Sequence, residues 1–144
     1  MTGLPESLAQ YLENRGFGSY RDSDQVFGPN EVGISIDSVP STPNQVICVT
    51  QYAGATVDSQ LPWDEPRVQL RVRGTPDPSV SRNTAQALYD LLHGWGPGDM
   101  GTTHIQLIVG IGSGPMYMGL DQTSRRHEHV VNFDFTVHNP NRRT

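Results

Sequence analysis

The sequence predicts an α+β fold: a single-domain sandwich with two helices packed on one face of a largely antiparallel mixed sheet. Three observations carry that expectation. Helix and strand patterns follow one another in the order helix, strands, helix, strands. Residues 66–74 (Pro-Arg-Val-Gln-Leu-Arg-Val-Arg-Gly) alternate without a fault. Val68, Leu70 and Val72 fall on one side and Arg67, Gln69, Arg71 and Arg73 on the other, the period of two that a strand imposes. From His127 the chain alternates again, with Val131, Phe133, Phe135 and Val137 inward and Glu128, Asn132, Asp134 and Thr136 outward.

The first helix rests on Leu4, Leu8, Tyr11 and Leu12, with Thr2 as N-cap, Pro5 in the first turn and Gly16 as the stop. Residues 17–30 read as irregular, with a short extended piece at 25–27 before the turn Gly28-Pro29-Asn30. Val32, Ile34 and Ile36 alternate as a short strand. Residues 45–52 form a nearly continuous apolar run that suits a strand covered on both faces. Residues 53–65 form a long loop carrying Trp63, and loops of that length tend to be functional. Trp63 either packs on its own domain or enters a partner, as Trp does at interface anchors.

After the arginine strand, Ser79 caps a second helix with Val80, Thr84, Ala87, Leu88, Leu91 and Leu92 on its apolar face and Gly94 as its end. Residues 95–98 read as loop. Ile105, Leu107, Val109 and Ile111 alternate as a strand, and Gly112-Ser113-Gly114-Pro115 predicts a hairpin turn into 116–120. Residues 139–144 read as a frayed tail of a domain spanning 1–144.

Composition narrows the function. A length of 144 residues favours one domain, and a net charge of −5 argues against a general nucleic-acid coat. All ten cationic residues are Arg, a side chain suited to bidentate interface pairing. The lone Cys48 sits in an apolar run and reads as a small buried hydrophobe. No basic-then-apolar leader and no apolar stretch of roughly 18–20 residues is present, so neither a signal peptide nor a membrane partner is expected.

Catalytic patterns are weak. His127 and His129 share one side of a strand, the spacing of two metal ligands, but a zinc site needs three or four. His138, Glu128 or Asp121 would have to complete it. Gly110-Ile111-Gly112-Ser113-Gly114 lacks the Lys-Ser/Thr of a phosphate loop, and Pro115 replaces the following helix. No cofactor is expected. What stands out is the arginine face of Arg67, Arg71 and Arg73, the Trp63 loop, and the charged corner of Asp121, Arg125 and Arg126. Three arginines on one strand face call for carboxylate partners, either on a docking protein or locally on Asp134 or Glu128 of the final strand.

Several stretches carry a family resemblance. Residues 64–74 (Asp-Glu-Pro-Arg-Val-Gln-Leu-Arg-Val-Arg-Gly), the helix 85–94, and segments 113–121 (Ser-Gly-Pro-Met-Tyr-Met-Gly-Leu-Asp) and 126–133 (Arg-His-Glu-His-Val-Val-Asn-Phe) resemble the tail-terminator proteins of long-tailed bacteriophages, often labelled minor capsid or neck proteins. Leu8-Ala9-Gln10-Tyr11-Leu12 followed by Gly16 fits as well. The resemblance implies a structural virion protein and no enzyme. It implies a homohexameric ring at the tail–neck junction of a siphovirus, assembled in the host cytoplasm. That ring caps the major tail tube protein, meets the head–tail connector or stopper, and passes genomic DNA through its lumen. A head-completion or stopper protein of the same neck, and a small metal-dependent hydrolase using His127 and His129, are the alternatives.

Overall fold

The computed structural model describes residues 3–21, 27, 31–40, 43–120 and 125–139. Helix α1, Leu4–Asn14, turns Leu4, Leu8, Ala9 and Leu12 inward. Its N-cap is Gly3, whose N–H donates to the Glu6 carboxylate at 3.1 Å; the expected cap, Thr2, lies outside the described residues. Gly16 follows with φ +86°, the left-handed conformation that ends helices. Helix α2, Pro78–Leu92, is capped by Asp77 and not by Ser79: the Asp77 carboxylate accepts the Ser79 N–H at 3.0 Å and its hydroxyl at 2.8 Å. These bonds hold the Asp77 carboxyl below its usual range. The helix buries Ser81, Ala85, Leu88 and Leu92, a stripe rotated from the predicted one, so that Ala87 faces solvent.

Eight strands form one curled sheet: β1 Ser19–Tyr20, β2 Gly33–Ile36, β3 Val46–Tyr52, β4 Trp63–Asp64, β5 Arg67–Arg73, β6 Gly98–Met100, β7 Thr103–Leu120 and β8 His127–His138. Their order is β1-β2-β3-β5-β8-β7-β6, with β4 beside β8. β1, β2 and β3 pair in parallel and every other pairing is antiparallel. The predicted α+β class therefore holds, with the arginine strand β5 at the centre of the sheet. Val49, Leu70 and Val131 are mutual partners across three strands. With Phe133, Phe135 and Ile108 they pack beneath Leu8 and Leu12 of α1 and Leu88 and Leu92 of α2.

Three parts of the fold differ from expectation. Short strands β1 and β4 occupy stretches read as loop, and β6 begins in one and runs on through residues given no element, because a two- or three-residue strand carries no readable period. The expected hairpin at 112–115 does not form. β7 runs unbroken through it, pairing Ile111 with Asn132 and Met116 with Val130. A step of five residues on β7 thus matches two on β8, and the glycines make a bulge instead of a turn. A second irregularity between Ile105 and Leu107 shifts the strand's phase. Ile105 and Ile108 are buried, while Leu107, Val109 and Ile111 face outward.

The bulged strand is held by α2. The Tyr89 hydroxyl donates to the Gly112 carbonyl at 3.0 Å, and the Gly110 N–H donates to His93 Nδ1 at 2.9 Å. Tyr89 lies so close to β7 that a Cβ on Gly110 would fall 2.3 Å from its ring. Asn139, assigned to the frayed tail, is tied down: its N–H donates to the Pro62 carbonyl at 2.6 Å and its side chain to Asp64 at 2.9 Å. Residues 140–144 lie outside the described part.

Leu70→Asp tests the central strand. Leu70 has no exposed surface, so a buried unpaired carboxylate there is expected to cost more than about 4 kcal/mol. Circular dichroism is expected to find no cooperative melting; a soluble variant that melts like the parent would refute the assignment of this face to the core.

Candidate assembly surface

The face of the sheet opposite the helices carries the polar side of the arginine strand. Register decides its partners. Arg67 lies opposite Asp134, Gln69 opposite Asn132, Arg71 opposite Val130 and Arg73 opposite Glu128. Arg67 Nε bonds Asp134 Oδ1 at 2.8 Å, and Arg71 Nη1 reaches Glu128 Oε1 at 3.4 Å. Tyr52 donates its hydroxyl to Asn132 Oδ1 at 2.9 Å, extending the polar ladder to β3.

Arg73 behaves differently. It is buried, and its guanidinium donates to the carbonyls of Asn44 at 3.1 Å, Pro43 at 2.7 Å and Pro40 at 2.5 Å. Arg126, also buried, reaches Asn44 Oδ1 at 3.4 Å. These two arginines clamp the loop joining β2 to β3 against the outer face, where Val46, Cys48 and Val130 are buried outside the main core. All three β5 arginines thus have partners within the chain: Arg67 and Arg71 make the local pairing with Asp134 and Glu128 that the sequence left open, whereas Arg73 bonds main-chain carbonyls instead. A docking partner is not needed to satisfy them.

Trp63 packs on its own domain, with its ring centre 5.4 Å from that of His138 and 6.2 Å from that of His104. Arg125 is exposed with φ +58°. Asp121 lies outside the described residues. The two histidines of the HxH pattern point to the helix side, and each spends Nδ1 on a hydroxyl. His129 meets Ser81 Oγ and His127 meets the Tyr117 hydroxyl, both at 2.8 Å. Among the described residues, no three His, Cys, Asp or Glu side chains cluster as metal ligands. No helix among them is long and apolar enough to cross a membrane.

Sequence reasoning missed the apolar part of this surface. Leu107, Val109, Ile111 and Met116 form an outward row on β7, each 39–58 % exposed, and Met118 is 48 % exposed. The only sequence signal was the consecutive run Leu107-Ile108-Val109, which leaves the phase of the alternation undecided.

The family model for bacteriophage tail terminator proteins matches residues 11–139. The chain belongs to that family. It is a structural protein of the phage tail, and its family is not one of enzymes. No curated protein matches the chain. In this tail terminator family member, the polar ladder and the apolar row lie side by side on the outer face of the sheet. The hydroxyl-bonded histidines have a packing role.

The arginines are expected to separate by role. Arg73→Gln removes the buried guanidinium that holds three loop carbonyls, one of them buried, and is expected to destabilise the fold by about 3 kcal/mol. Arg67→Gln and Arg71→Gln, on half-exposed pairs, are expected to leave the melting temperature nearly unchanged. Equal melting temperatures for all three variants would contradict the clamp.

His129 predicts a pH dependence. Burial, followed by the charges of Arg82 and His127, lowers its pKa. As pH falls through about 6.5 the unfolded imidazole takes up its proton first. The stability from this site is therefore complete above that value and is lost as pH drops toward the folded-state pKa. Between pH 7 and pH 5 the melting temperature of the parent is expected to fall further than that of His129→Gln. Parallel profiles would exclude His129 as the source.

Proposed function

We propose that this chain forms a six-membered ring on the end of the completed tail tube of a long-tailed phage. The ring stops addition of further tube subunits and presents the joining surface to the head. Family membership supports the location. The observation that carries the assembly role is the outer sheet face, where a charged ladder lies beside the uncovered apolar row Leu107, Val109, Ile111 and Met116. Exposed apolar surface of this kind, bordered by polar groups, marks a protein contact.

Of the residues expected at the interface, Arg67 and Arg71 stand on this face half exposed. Their intrachain carboxylates orient them without removing them from solvent. Trp63 borders the face near His138, and Arg125 precedes the opposite end of β8. Asp121, next in sequence after β7, completes the set on position alone. Arg73 and Arg126 act at one remove, by fixing the loop over β3. The partners are neighbouring copies, the major tail tube protein, and the connector or stopper proteins of the neck. Genomic DNA passes the lumen without sequence-specific contact, and a net charge of −5 suits a channel that releases the phosphate backbone. Assembly takes place in the host cytoplasm.

Val109→Asp tests this reading on an outward position. The isolated protein is expected to melt within a few degrees of the parent, whereas phage carrying the change are expected to yield overlong, headless tails by electron microscopy. Infectious particles with tails of normal length would rule the apolar row out of the assembly surface. The same outcome in phage lacking the gene would rule out the capping function.

A further inference from the structure

Strand β7 runs for 18 residues without an Asp, Glu, Lys or Arg. Its edge away from β8 is protected over the first part. β6 pairs with residues 103–105. The Gly94 N–H donates to the Ile108 carbonyl, the Ile108 N–H to the Trp95 carbonyl, and the Gly110 N–H to His93. Beyond Gly112 no described strand lies along this edge. The other margins of the sheet are blunted. β1 is two residues long, and β6 is three, with Asp99 bonded to His104. Short strands and charged side chains are how proteins keep edges from pairing.

Residues 116–118 have neither device. Met116, Tyr117 and Met118 are 58, 51 and 48 % exposed. Consecutive strand residues face opposite sides, so the strand is open on both faces here. Its main chain is open as well. His127 accepts the Gly74 N–H, and Phe135 donates its N–H to the Pro66 carbonyl, so the odd-numbered residues of β8 turn their main chain toward β5. His129 shares that alternation, and Tyr117 is its partner on β7. Tyr117 therefore turns its N–H and C=O outward, as Ile108 does opposite Phe135. No hydrogen bond from a described residue meets them.

We infer that two free copies of this chain pair edge to edge through residues 116–118 of β7, antiparallel about Tyr117, so that two sheets become one. The second copy is the occupant because this strand is complementary to itself. A two-fold axis sets Tyr117 against the partner's Tyr117 and Met116 against the partner's Met118. A charged strand would bring like charges together in that arrangement. This one brings apolar side chains together and removes from water what a single copy leaves half exposed. Pro115 has no N–H to give, and the ladder is irregular between Tyr117 and Gly119, so the paired stretch is short and the association reversible. A two-fold contact uses the same patch on both copies and closes at two. It cannot build the six-membered ring and does not rest on that reading. It belongs to the chain before it meets the tail, when an open uncharged edge would otherwise recruit any extended segment.

The test mixes full-length Met116→Cys chains with full-length Met118→Cys chains under mild oxidation. With Tyr117 on the axis, positions 116 and 118 form the close kind of cross-strand pair, about 4.5 Å between Cα atoms, within disulfide reach. Like cysteines in either variant alone sit diagonally at about 7–8 Å, and the parent chain with its buried Cys48 is the control. Disulfide-linked dimers are expected in the mixture at several times the yield of either variant alone. A mixture that runs as monomer on non-reducing gels overturns the pairing. Equal yields in all three samples overturn the register that defines it. Sedimentation equilibrium gives an independent readout. The parent is expected to associate reversibly to two copies, and Met118→Lys to weaken that association about tenfold by charging the edge, with Met116→Lys as the second variant. A monomeric parent, or association unchanged by both substitutions, would overturn the inference.

Discussion

The register between β5 and β8 is the constraint from which the rest of the structure follows. Seven consecutive pairs, from Arg67 opposite Asp134 to Arg73 opposite Glu128, satisfy both faces of the sheet at once. On the helix side, Val68 meets Phe133 and Leu70 meets Val131. On the other side, Arg67 meets Asp134, Gln69 meets Asn132, and Arg71 reaches past Val130 to Glu128. A slip of one residue would turn every apolar side chain outward and every arginine into the core. The hydrophobic term fixes the register, and the ion pairs agree with it at little cost because they stay partly solvated.

That central pairing leaves the sheet with unequal flanks. Toward β3 the outer face is closed by the loop that Arg73 and Arg126 hold, so a strand with buried side chains on both faces is possible there. Toward β7 nothing equivalent lies over the outer face among the described residues, and Leu107, Val109 and Ile111 stay in solvent. The bulges make this possible: they turn Ile108 inward to complete the core under α2 and release the alternate residues outward. Tyr89 over Gly110 and its bond to Gly112 keep the distorted strand in place. The irregular strand is therefore a supported feature, as bulges in functional sheets generally are.

The histidines illustrate how context decides chemistry. Spacing alone puts His127 and His129 on one face, as a metal site would require. In the fold that face meets α2, Ser81 and Tyr117 each take one ring nitrogen, Nδ1, and no third ligand stands nearby among the described residues. Tyr117 packs edge-on against His129 at 5.1 Å. The pair contributes to joining the helix, the bulged strand and the final strand.

The sequence by itself determined the α+β class, both helices, the faces of β5 and β8 and the family, because these depend on local periodicity and on contiguous motifs. It also exposed the arginine face and the long loop. Tertiary structure alone decided three things. The phase of β7 was hidden, since three adjacent apolar residues fit either face and only the bulges select one. The fates of the arginines depended on partners far along the chain: 67 residues away for Arg67 and about 30 for Arg73. Whether a cation ends as a surface pair or a buried clamp is set by what folds over it. The base of the long loop is tied to the end of the final strand, through Asn139 on Pro62 and Asp64, only because β4 lies beside β8 in the folded sheet.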